Sequence, residues 1–253
     1  MERIWSGAME SQASNLRAPI GARLALERAL LAIGLVLLLA QAMPAAAQSP
    51  GVPGVFDYYL LTLSWSPAYC TAHGESPSAA YQCRSGRRLG FVEHGLWPQF
   101  EDGTWPYFCA DAHRIPHVMA EPMLKVIPSE VLIQHEWQAH GSCTGLSAEA
   151  YLGLAARAFD RVRAPPASID WTQGATLKLA DLSREIMSAN PGLRPGMFAV
   201  ECDRADRRHI EEIRYCLDKK LGFRECGTRV TSSCAAEVSL DPVPEAGYTA
   251  KHP

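Results

Sequence analysis

The alternation of apolar and polar positions predicts strands in two separate parts of the chain. Residues 56–65 are rich in aromatic and branched side chains, which is typical of a buried strand. A shorter apolar stretch at 91–97 predicts a second strand, which Pro98 ends. Residues 197–202 and 210–217 predict two more, and charged and apolar residues alternate along the later one.

Between these strands, apolar positions at helical spacing predict three helices. The segments are 131–140, 148–162 and 176–189. Ser129 and Ser147 are suited to cap the first two, and Gly141 is suited to end the first. Residues 66–90 and 100–116, which contain several prolines and glycines, are predicted as loops. Strands, then helices, then strands again favour an α+β fold in a single domain.

The first 47 residues have the pattern of an export signal. A lead containing arginines precedes an apolar run at 29–43, and Ala45 to Ala47 offer a small-residue cleavage site. A membrane anchor is the alternative, but the apolar run is shorter than the roughly 18 residues that a spanning helix needs. We therefore predict that residues 1–47 are a cleaved signal peptide and that 48–253 form the mature domain, which is periplasmic or secreted. No membrane attachment is expected after cleavage.

The charge of the mature domain argues against a broad nucleic-acid-binding surface. Of the 24 basic and 27 acidic residues in the chain, four arginines and three glutamates lie in the leader. The remaining 20 basic and 24 acidic residues give a net charge of −4, whereas the footprint of a nucleic-acid-binding domain is usually basic. A polyanionic partner would therefore have to be bound locally.

Eight cysteines follow the predicted cleavage site, at positions 70, 83, 109, 143, 202, 216, 226 and 234. An even number of cysteines in an exported chain predicts four disulfides. Zinc binding is the alternative, but no C-x-x-C pair occurs anywhere in the sequence. The spacing by itself does not determine the pairing.

The segment HEWQAHGSC, residues 135–143, concentrates ionisable side chains. His135 and His140 are five residues apart, which separates them by about 140° around a helix and disfavours one shared metal ion. Glu136 and His140 are four apart and share a helix face. A third histidine, His94, lies in the segment EHGLWPQ. Two separated histidines with a carboxylate favour acid–base chemistry, since imidazole titrates near neutrality.

The segments FVEHGLWPQ and HEWQAHGSC resemble the two active-site segments of the ribonuclease T2 family, whose members are secreted, cyclising, metal-independent ribonucleases. The stretch LTLSWSPAYC is similar to that family's first strand, and the cysteines from Cys202 to Cys234 resemble its C-terminal cysteine pattern. The resemblance spans residues 56–234 and implies one α+β domain with a central antiparallel β-sheet packed with several α-helices. It also implies four disulfides, Cys70–Cys83, Cys109–Cys143, Cys202–Cys234 and Cys216–Cys226.

The resemblance further implies a role for each ionisable residue of the two segments. His140 is expected to take the proton of a ribose 2′-hydroxyl, and His94 to protonate the departing 5′-oxygen. His135 is expected to bind the phosphate. Glu136 is expected to orient the groups of the site and to contribute its negative charge. The substrate would be single-stranded RNA, cut with low base specificity to a 2′,3′-cyclic phosphate and then to a 3′-phosphate. DNA, which lacks the 2′-hydroxyl, would be refused, and a monomer that needs no metal or cofactor is expected.

Aromatic residues in and after the first segment are candidates for RNA contact. They are Trp97, which could pack beneath the site, and Trp105, Tyr107 and Phe108, which could stack on a base. Aromatic side chains are more often part of a core, so both interpretations stay open at this point.

One position departs from the family pattern. Ala139 occupies the place of a lysine that helps to stabilise the charged phosphorane. Another cation, with Arg87 and Arg88 as candidates, or a protonated His135 could take that role. Because of this departure, a non-catalytic RNA- or protein-binding member of the same fold is kept as an alternative, and a zinc-dependent hydrolase is a second one.

Overall fold

A computed structural model describes residues 51–164 and 170–244 of the chain. The predicted signal peptide at 1–47 lies outside the described residues. Within the described ranges, no helix is long and apolar enough to cross a membrane.

A four-stranded antiparallel sheet forms the centre of the fold. Its strands are β1 (Tyr58–Trp65), β2 (Phe91–Gln99), β4 (Phe198–Cys202) and β5 (Ile210–Leu217). They lie in the order β2-β1-β5-β4, so β2 is an edge strand and β1 is paired on both sides. Two shorter strands, β3 (Ala175–Lys178) and β6 (Glu237–Leu240), form a separate antiparallel pair.

The strands of the central sheet are those predicted from the apolar pattern, but β2 is longer than expected. Pro98 does not end this strand, since it pairs with Tyr59 of β1 and β2 continues to Gln99. A proline, which has no N–H to donate, is tolerated because β2 lies at the edge of the sheet. The pair β3 and β6 was not predicted, because strands of four residues are too short to show a clear period of two.

The described residues form six α-helices, α1 (Ser66–His73), α2 (Ala80–Cys83), α3 (His117–Ala120), α4 (Glu130–Ala139), α5 (Ala148–Arg161) and α6 (Leu179–Ala189). Short 3-10 turns occupy Pro77–Ala79, Glu121–Lys125, Gly141–Cys143 and Trp171–Gln173. The Ser129 hydroxyl accepts a hydrogen bond from the Leu132 N–H, and the Ser147 hydroxyl accepts one from the Ala150 N–H. Both predicted N-caps are therefore confirmed.

Two parts of the helix and loop prediction are wrong. The expected loop at 66–90 contains α1 and α2, since Pro67 stands in the first turn of α1, where its missing N–H breaks no hydrogen bond. The helix predicted from residue 176 begins at Leu179, because residues 175–178 form β3.

Gly141 has a packing role rather than the helix-ending role predicted for it. α4 ends at Ala139, and the next residue, His140, is its C-cap. A Cβ atom at Gly141 would lie 2.5 Å from the Trp137 ring and 2.6 Å from the Tyr151 ring. Glycine at this position therefore allows α5, which carries Tyr151, to pack closely against the end of α4.

The central sheet buries apolar residues on both of its faces. Leu61 and Leu63 of β1 and Ile213 of β5 belong to the main core, which includes apolar residues of α4, α5 and α6. On the other face, Leu60 and Cys216 form a smaller apolar cluster with further partly buried side chains packed against it. Successive residues of a strand point to opposite faces, so this second face can carry polar side chains between the apolar ones.

Four disulfides link the described residues, and no cysteine among them is free. They are Cys70–Cys83, Cys109–Cys143, Cys202–Cys234 and Cys216–Cys226, which are the pairs implied by the family resemblance. Cys109–Cys143 ties the loop after β2 to the turn that follows α4. A disulfide typically stabilises a fold by about 2–4 kcal/mol, mainly by restricting the unfolded chain.

Glu93 is a buried carboxyl group with no hydrogen-bond partner among the described residues. The residue is 0% exposed, and both carboxylate oxygens are unpaired. Desolvation, together with the negative charges of Glu136 and Asp160, raises the pKa of Glu93 to about 8. The folded chain therefore keeps this proton at a pH at which the unfolded chain has lost it.

We predict that Glu93→Gln stabilises the protein at alkaline pH. The folded-state pKa of Glu93 lies above its unfolded-state value, so the wild-type free energy of unfolding falls as pH rises between the two values. The glutamine variant does not lose stability in this way. The difference between its Tm and that of wild type should therefore grow from about pH 5 to about pH 9. Thermal unfolding followed by circular dichroism measures this difference. Glu75→Gln, at an exposed position, is the control and should show no such growth. A pH-independent difference between Glu93→Gln and wild type would contradict the prediction.

Candidate active site

Two elements bring together the four ionisable residues of the two active-site-like segments. β2 carries His94, α4 carries His135 and Glu136, and His140 follows α4 directly. Gly95 permits this approach, because a Cβ atom at that position would overlap the Glu136 carboxylate. The four residues therefore lie around one site, where β2 meets the end of α4.

A β-bulge directs His94 toward the site. Thr62 of β1 pairs with Gly95, and Leu63 pairs with Glu93, so His94 has no partner in the register. An extra residue of this kind changes the direction in which the side chains of a strand point. As a result Glu93 is fully buried, whereas the His94 side chain is 34% exposed.

Trp97 lies between His94 and His140, the two histidines that the resemblance leads us to expect in proton transfer. Its indole N–H donates a hydrogen bond to Glu136 Oε2 at 2.7 Å. Its ring stacks on the His140 ring with a centroid distance of 5.3 Å, and it meets the His94 ring edge-on at 5.0 Å. Trp97 therefore contacts the Glu136 carboxylate and both imidazole rings.

His94 bridges two carboxylates through its two ring nitrogens. Its Nδ1 lies 2.8 Å from Glu212 Oε1, and its Nε2 lies 4.0 Å from Glu136 Oε1. Burial by itself would lower the pKa of His94, but the hydrogen bond to Glu212 and the charges of both glutamates outweigh burial and raise it. The charged, proton-bearing form of His94 is therefore favoured.

His140 has the opposite electrostatic character. It is 8% exposed, and its Nδ1 has no hydrogen-bond partner among the described residues. Desolvation, with smaller effects from the charges of His135 and His94, lowers the pKa of His140 to about 3. The ring is thus neutral near pH 7, with a lone pair available to accept a proton.

Glu136 and His135 complete this group. Glu136 is 1% exposed, and desolvation, opposed by the charge of His94 and the Trp97 hydrogen bond, raises its pKa to about 7. His135 is exposed on the outer side of the site, and partial desolvation followed by the charge of His94 lowers its pKa. A protonated His135 is therefore disfavoured in the free protein, which weakens it as a substitute for the lysine absent at position 139.

The expectation that His135 and His140 diverge is wrong. Their ring centroids are 6.2 Å apart, because His140 lies beyond the last helical residue and no longer follows the helical wheel. One potential ligand atom from each of His135, Glu136 and His140 lies within 4.8 Å of the others. The spacing argument against a shared cation therefore does not hold.

An aromatic cleft opens beside His140. Its volume is about 490 Å³, and its lining includes Trp97, Trp105, Tyr107, His140, Arg214 and Arg229. The Tyr107 ring lies 5.4 Å from the His140 ring, and the Phe108 ring lies 6.3 Å from the His135 ring. Trp105 and Phe108 are 40% and 45% exposed. All three aromatic residues after the first segment therefore lie at the site rather than in the core.

Two site residues that sequence reasoning missed are on β5. Glu212 binds His94, as described, and Arg214 donates from Nε and Nη2 to Glu212 Oε2 at 3.0 and 2.7 Å. A second carboxylate, Glu201 on β4, lies 3.4 Å from Arg214 Nη1. The alternating pattern of 210–217 puts Glu212 and Arg214 on one strand face, but nothing local in the sequence shows that this face meets His94.

The cations near the cleft also differ from those expected. Arg87 lies over the Tyr81 ring at 3.9 Å and donates to the Tyr81 carbonyl. Neither Arg87 nor Arg88 is among the residues that line the cleft, whereas Arg214 and Arg229 are. The positions of Arg87 and Arg88 therefore do not support the role proposed for them from sequence.

Known proteins resemble this chain over most of the described domain. A family model described as the Ribonuclease T2 family matches residues 56–226. A ribonuclease from Aeromonas hydrophila is 42% identical over 119 residues, which are 47% of this chain and 52% of the relative. A probable ribonuclease from Haemophilus influenzae is 32% identical over 184 residues, which are 68% of this chain and 62% of the relative. The chain thus spans between half and two thirds of the length of these relatives.

Solved structures resemble the chain in fold. Trichomaglin, described as a novel S-like ribonuclease, superimposes with a TM-score of 0.61 at 22% identity, covering 75% of this chain and 99% of its own. An RNase-related protein from Calystegia sepium superimposes with a TM-score of 0.57 at 24% identity, covering 75% and 97%. The expected single α+β domain with a central antiparallel sheet and four disulfides is confirmed.

Proposed function

The chain belongs to the Ribonuclease T2 family, and we propose that it is an endoribonuclease that cleaves single-stranded RNA through the ribose 2′-hydroxyl. The observation that carries the proposal is the pair of histidines beside Trp97 whose pKa values are shifted in opposite directions. His140 is suited to take a proton and His94 to give one. The cleavage moves the phosphorus from the 5′-oxygen to the 2′-oxygen. One oxygen must lose a proton and the other must gain one, so both abilities are required at the same site.

In the first step, the neutral His140 takes the proton of the 2′-hydroxyl. The oxygen attacks the adjacent phosphorus while the bond from phosphorus to the 5′-oxygen breaks. His94 gives its Nε2 proton to the departing oxygen, so the products are a 2′,3′-cyclic phosphate and a free 5′-hydroxyl. His135 would bind the phosphate and Glu136, held by Trp97, would orient the site.

In the second and slower step, the roles of the histidines are reversed. His94, now neutral, takes a proton from water, which attacks the cyclic phosphate. His140 returns its proton to the 2′-oxygen, so the product is a 3′-phosphate and the enzyme regains its first protonation state. The substrate supplies the nucleophile of the first step, so DNA is refused, and no metal or cofactor is required.

The two pKa shifts also define the pH range of the first step. His140, with a pKa of about 3, must be unprotonated, and His94, with a raised pKa, must be protonated. Because the base has the lower pKa, both groups are in the required state over the whole interval between the two values. kcat/KM should therefore fall at acid pH as His140 gains a proton and at alkaline pH as His94 loses one.

The aromatic cleft supports binding of bases with low specificity. Trp105 and Tyr107 line the cleft beside His140, Phe108 lies beside His135, and every base offers a face for stacking. We propose that residues 48–253 act as a monomer in the periplasm or after secretion. The four disulfides support such an oxidising location.

Trp105→Ala is predicted to weaken RNA binding without slowing the chemical steps. Trp105 is 40% exposed in the cleft, and stacking of a base on an aromatic side chain contributes about 1–3 kcal/mol. KM should therefore rise roughly 5- to 150-fold in steady-state kinetics, with kcat nearly unchanged. Tyr81→Ala, an exposed aromatic outside the cleft, is the matched control. A loss confined to kcat would contradict a binding role for Trp105.

The proposed activity is tested by digesting the four homopolymeric RNAs in excess chelator across acid to neutral pH. Cleavage of all four with 2′,3′-cyclic phosphate intermediates is expected, and a matched DNA should stay intact. Activity that disappears in chelator would favour the zinc hydrolase. Binding of RNA without turnover would favour the non-catalytic alternative.

A further inference from the structure

Glu212 lies outside both active-site segments, but its carboxylate is in hydrogen-bond contact with His94. We infer that Glu212 is a positioning residue that fixes the tautomer and direction of His94 as proton donor, and that Arg214 holds Glu212 in place. The inference rests on the proposed function, because it concerns how one of the two histidines delivers its proton. It is carried by the contacts of Glu212 on β5.

The hydrogen bond between Glu212 and His94 determines which ring nitrogen exchanges a proton. Glu212 Oε1 lies 2.8 Å from His94 Nδ1, and an ionised carboxylate can only accept. The Nδ1 proton is therefore kept in the hydrogen bond whether His94 is charged or neutral. The exchangeable proton is on Nε2, which points toward Glu136 and the site.

Arg214 keeps Glu212 both ionised and oriented. Burial by itself would raise the pKa of Glu212, but the hydrogen bond and charge of His94 and the charge of Arg214 lower it. The two hydrogen bonds from Arg214 go to Oε2, so they do not compete with His94 for Oε1. The Ser64 hydroxyl of β1 also donates to Oε1, at 3.3 Å. Glu212 is thus held from its own strand and from its neighbour in the sheet.

An anchor of this kind is needed because His94 is at a bulge. Its backbone has no partner in the β1–β2 register, and its side chain is 34% exposed, so packing alone does not determine the ring orientation. The Glu212 side chain is 14% exposed and lies on a central strand. A rigid, partly buried carboxylate therefore orients a less restricted imidazole, as carboxylates do for other functional histidines.

The inference is tested with Glu212→Gln on two substrates that differ only in the leaving group. One is a dinucleoside phosphate, whose 5′-oxygen must be protonated as it departs. The other is a nucleoside 3′-(4-nitrophenyl phosphate), whose nitrophenolate departs without a proton. Outer carboxylates that orient a metal-bound histidine contribute about 10–100-fold, so kcat on the dinucleoside phosphate should fall by a similar factor with KM nearly unchanged. On the aryl ester, kcat should stay close to that of wild type.

Two further variants make the test specific. Glu211→Gln is the matched control, since Glu211 is the exposed neighbour on the same strand, and it should affect neither substrate. Arg214→Lys, which keeps the charge but loses the two-pronged contact, should show a smaller defect that is again confined to the dinucleoside phosphate. This variant also serves if Glu212→Gln does not fold, as judged by its circular dichroism.

The outcomes separate the inference from the proposed function. An equal loss on both substrates, or no loss on either, would overturn the positioning role of Glu212. If wild-type protein turns over neither substrate, the proposed ribonuclease function fails instead.

Discussion

His140→Ala should lower kcat on a dinucleoside phosphate by at least about a hundredfold, because one positioned general base contributes about 10²–10⁴ in rate. Among the described residues, Trp97, Glu136 and His135 surround this ring, and none of them is suited to replace it as the base. Trp97, which stacks on it, has no basic nitrogen, and Glu136 already accepts the Trp97 N–H through one oxygen. His135, whose ring lies 6.2 Å away, is exposed and outside the stack. The expected loss is therefore in the chemical step, with a smaller effect on KM.

The measurement is steady-state kinetics on both the dinucleoside phosphate and the nitrophenyl ester. Both should be affected alike, since the 2′-hydroxyl must lose its proton whichever group departs. His140 is 8% exposed, so alanine leaves a cavity, and Tm must be compared with wild type to show that folding is kept. His73→Ala, at an exposed histidine, is the control. Wild-type-like turnover by His140→Ala would refute its assignment as the base.

The central sheet could be predicted because its apolar runs have regular periodicity. Shorter elements, and elements whose sequence resembles a different structure, could not be predicted. The strands at 56–65, 197–202 and 210–217 were found because their apolar runs are long enough to show a pattern. α1 was missed because its proline and cysteine resemble a loop, although Pro67 suits a first helical turn. β3 was missed because part of its sequence extends the helical pattern of α6.

At the site, local motifs predicted which residues gather but not how they are held. His94 and Glu136 could be named from their segments, whereas their contact depends on Gly95 and on Trp97. Glu212 could not be named, because it is 118 residues from His94 and reaches it across β1. Such a contact depends on strand order and on the bulge, and neither has a sequence pattern of its own.

His94→Ala should give a different result from His140→Ala, although the loss on a natural substrate is as large. A general acid also contributes about 10²–10⁴, so kcat on the dinucleoside phosphate should fall by at least about a hundredfold. Hydrolysis of a 2′,3′-cyclic phosphate should fall as well, because His94 is the base of that step. On the nitrophenyl ester, however, the variant should approach wild-type kcat, since nitrophenolate leaves without a proton.

Folding is not expected to limit this second test. The His94 side chain is 34% exposed, so alanine creates no closed cavity, and Glu212 keeps its two hydrogen bonds from Arg214. Equal losses of His94→Ala on both leaving groups would show that the residue acts before the leaving group departs, for example in binding the phosphate. Selective loss would instead assign proton donation to His94, because only the alkoxide leaving group needs the proton that the variant cannot supply.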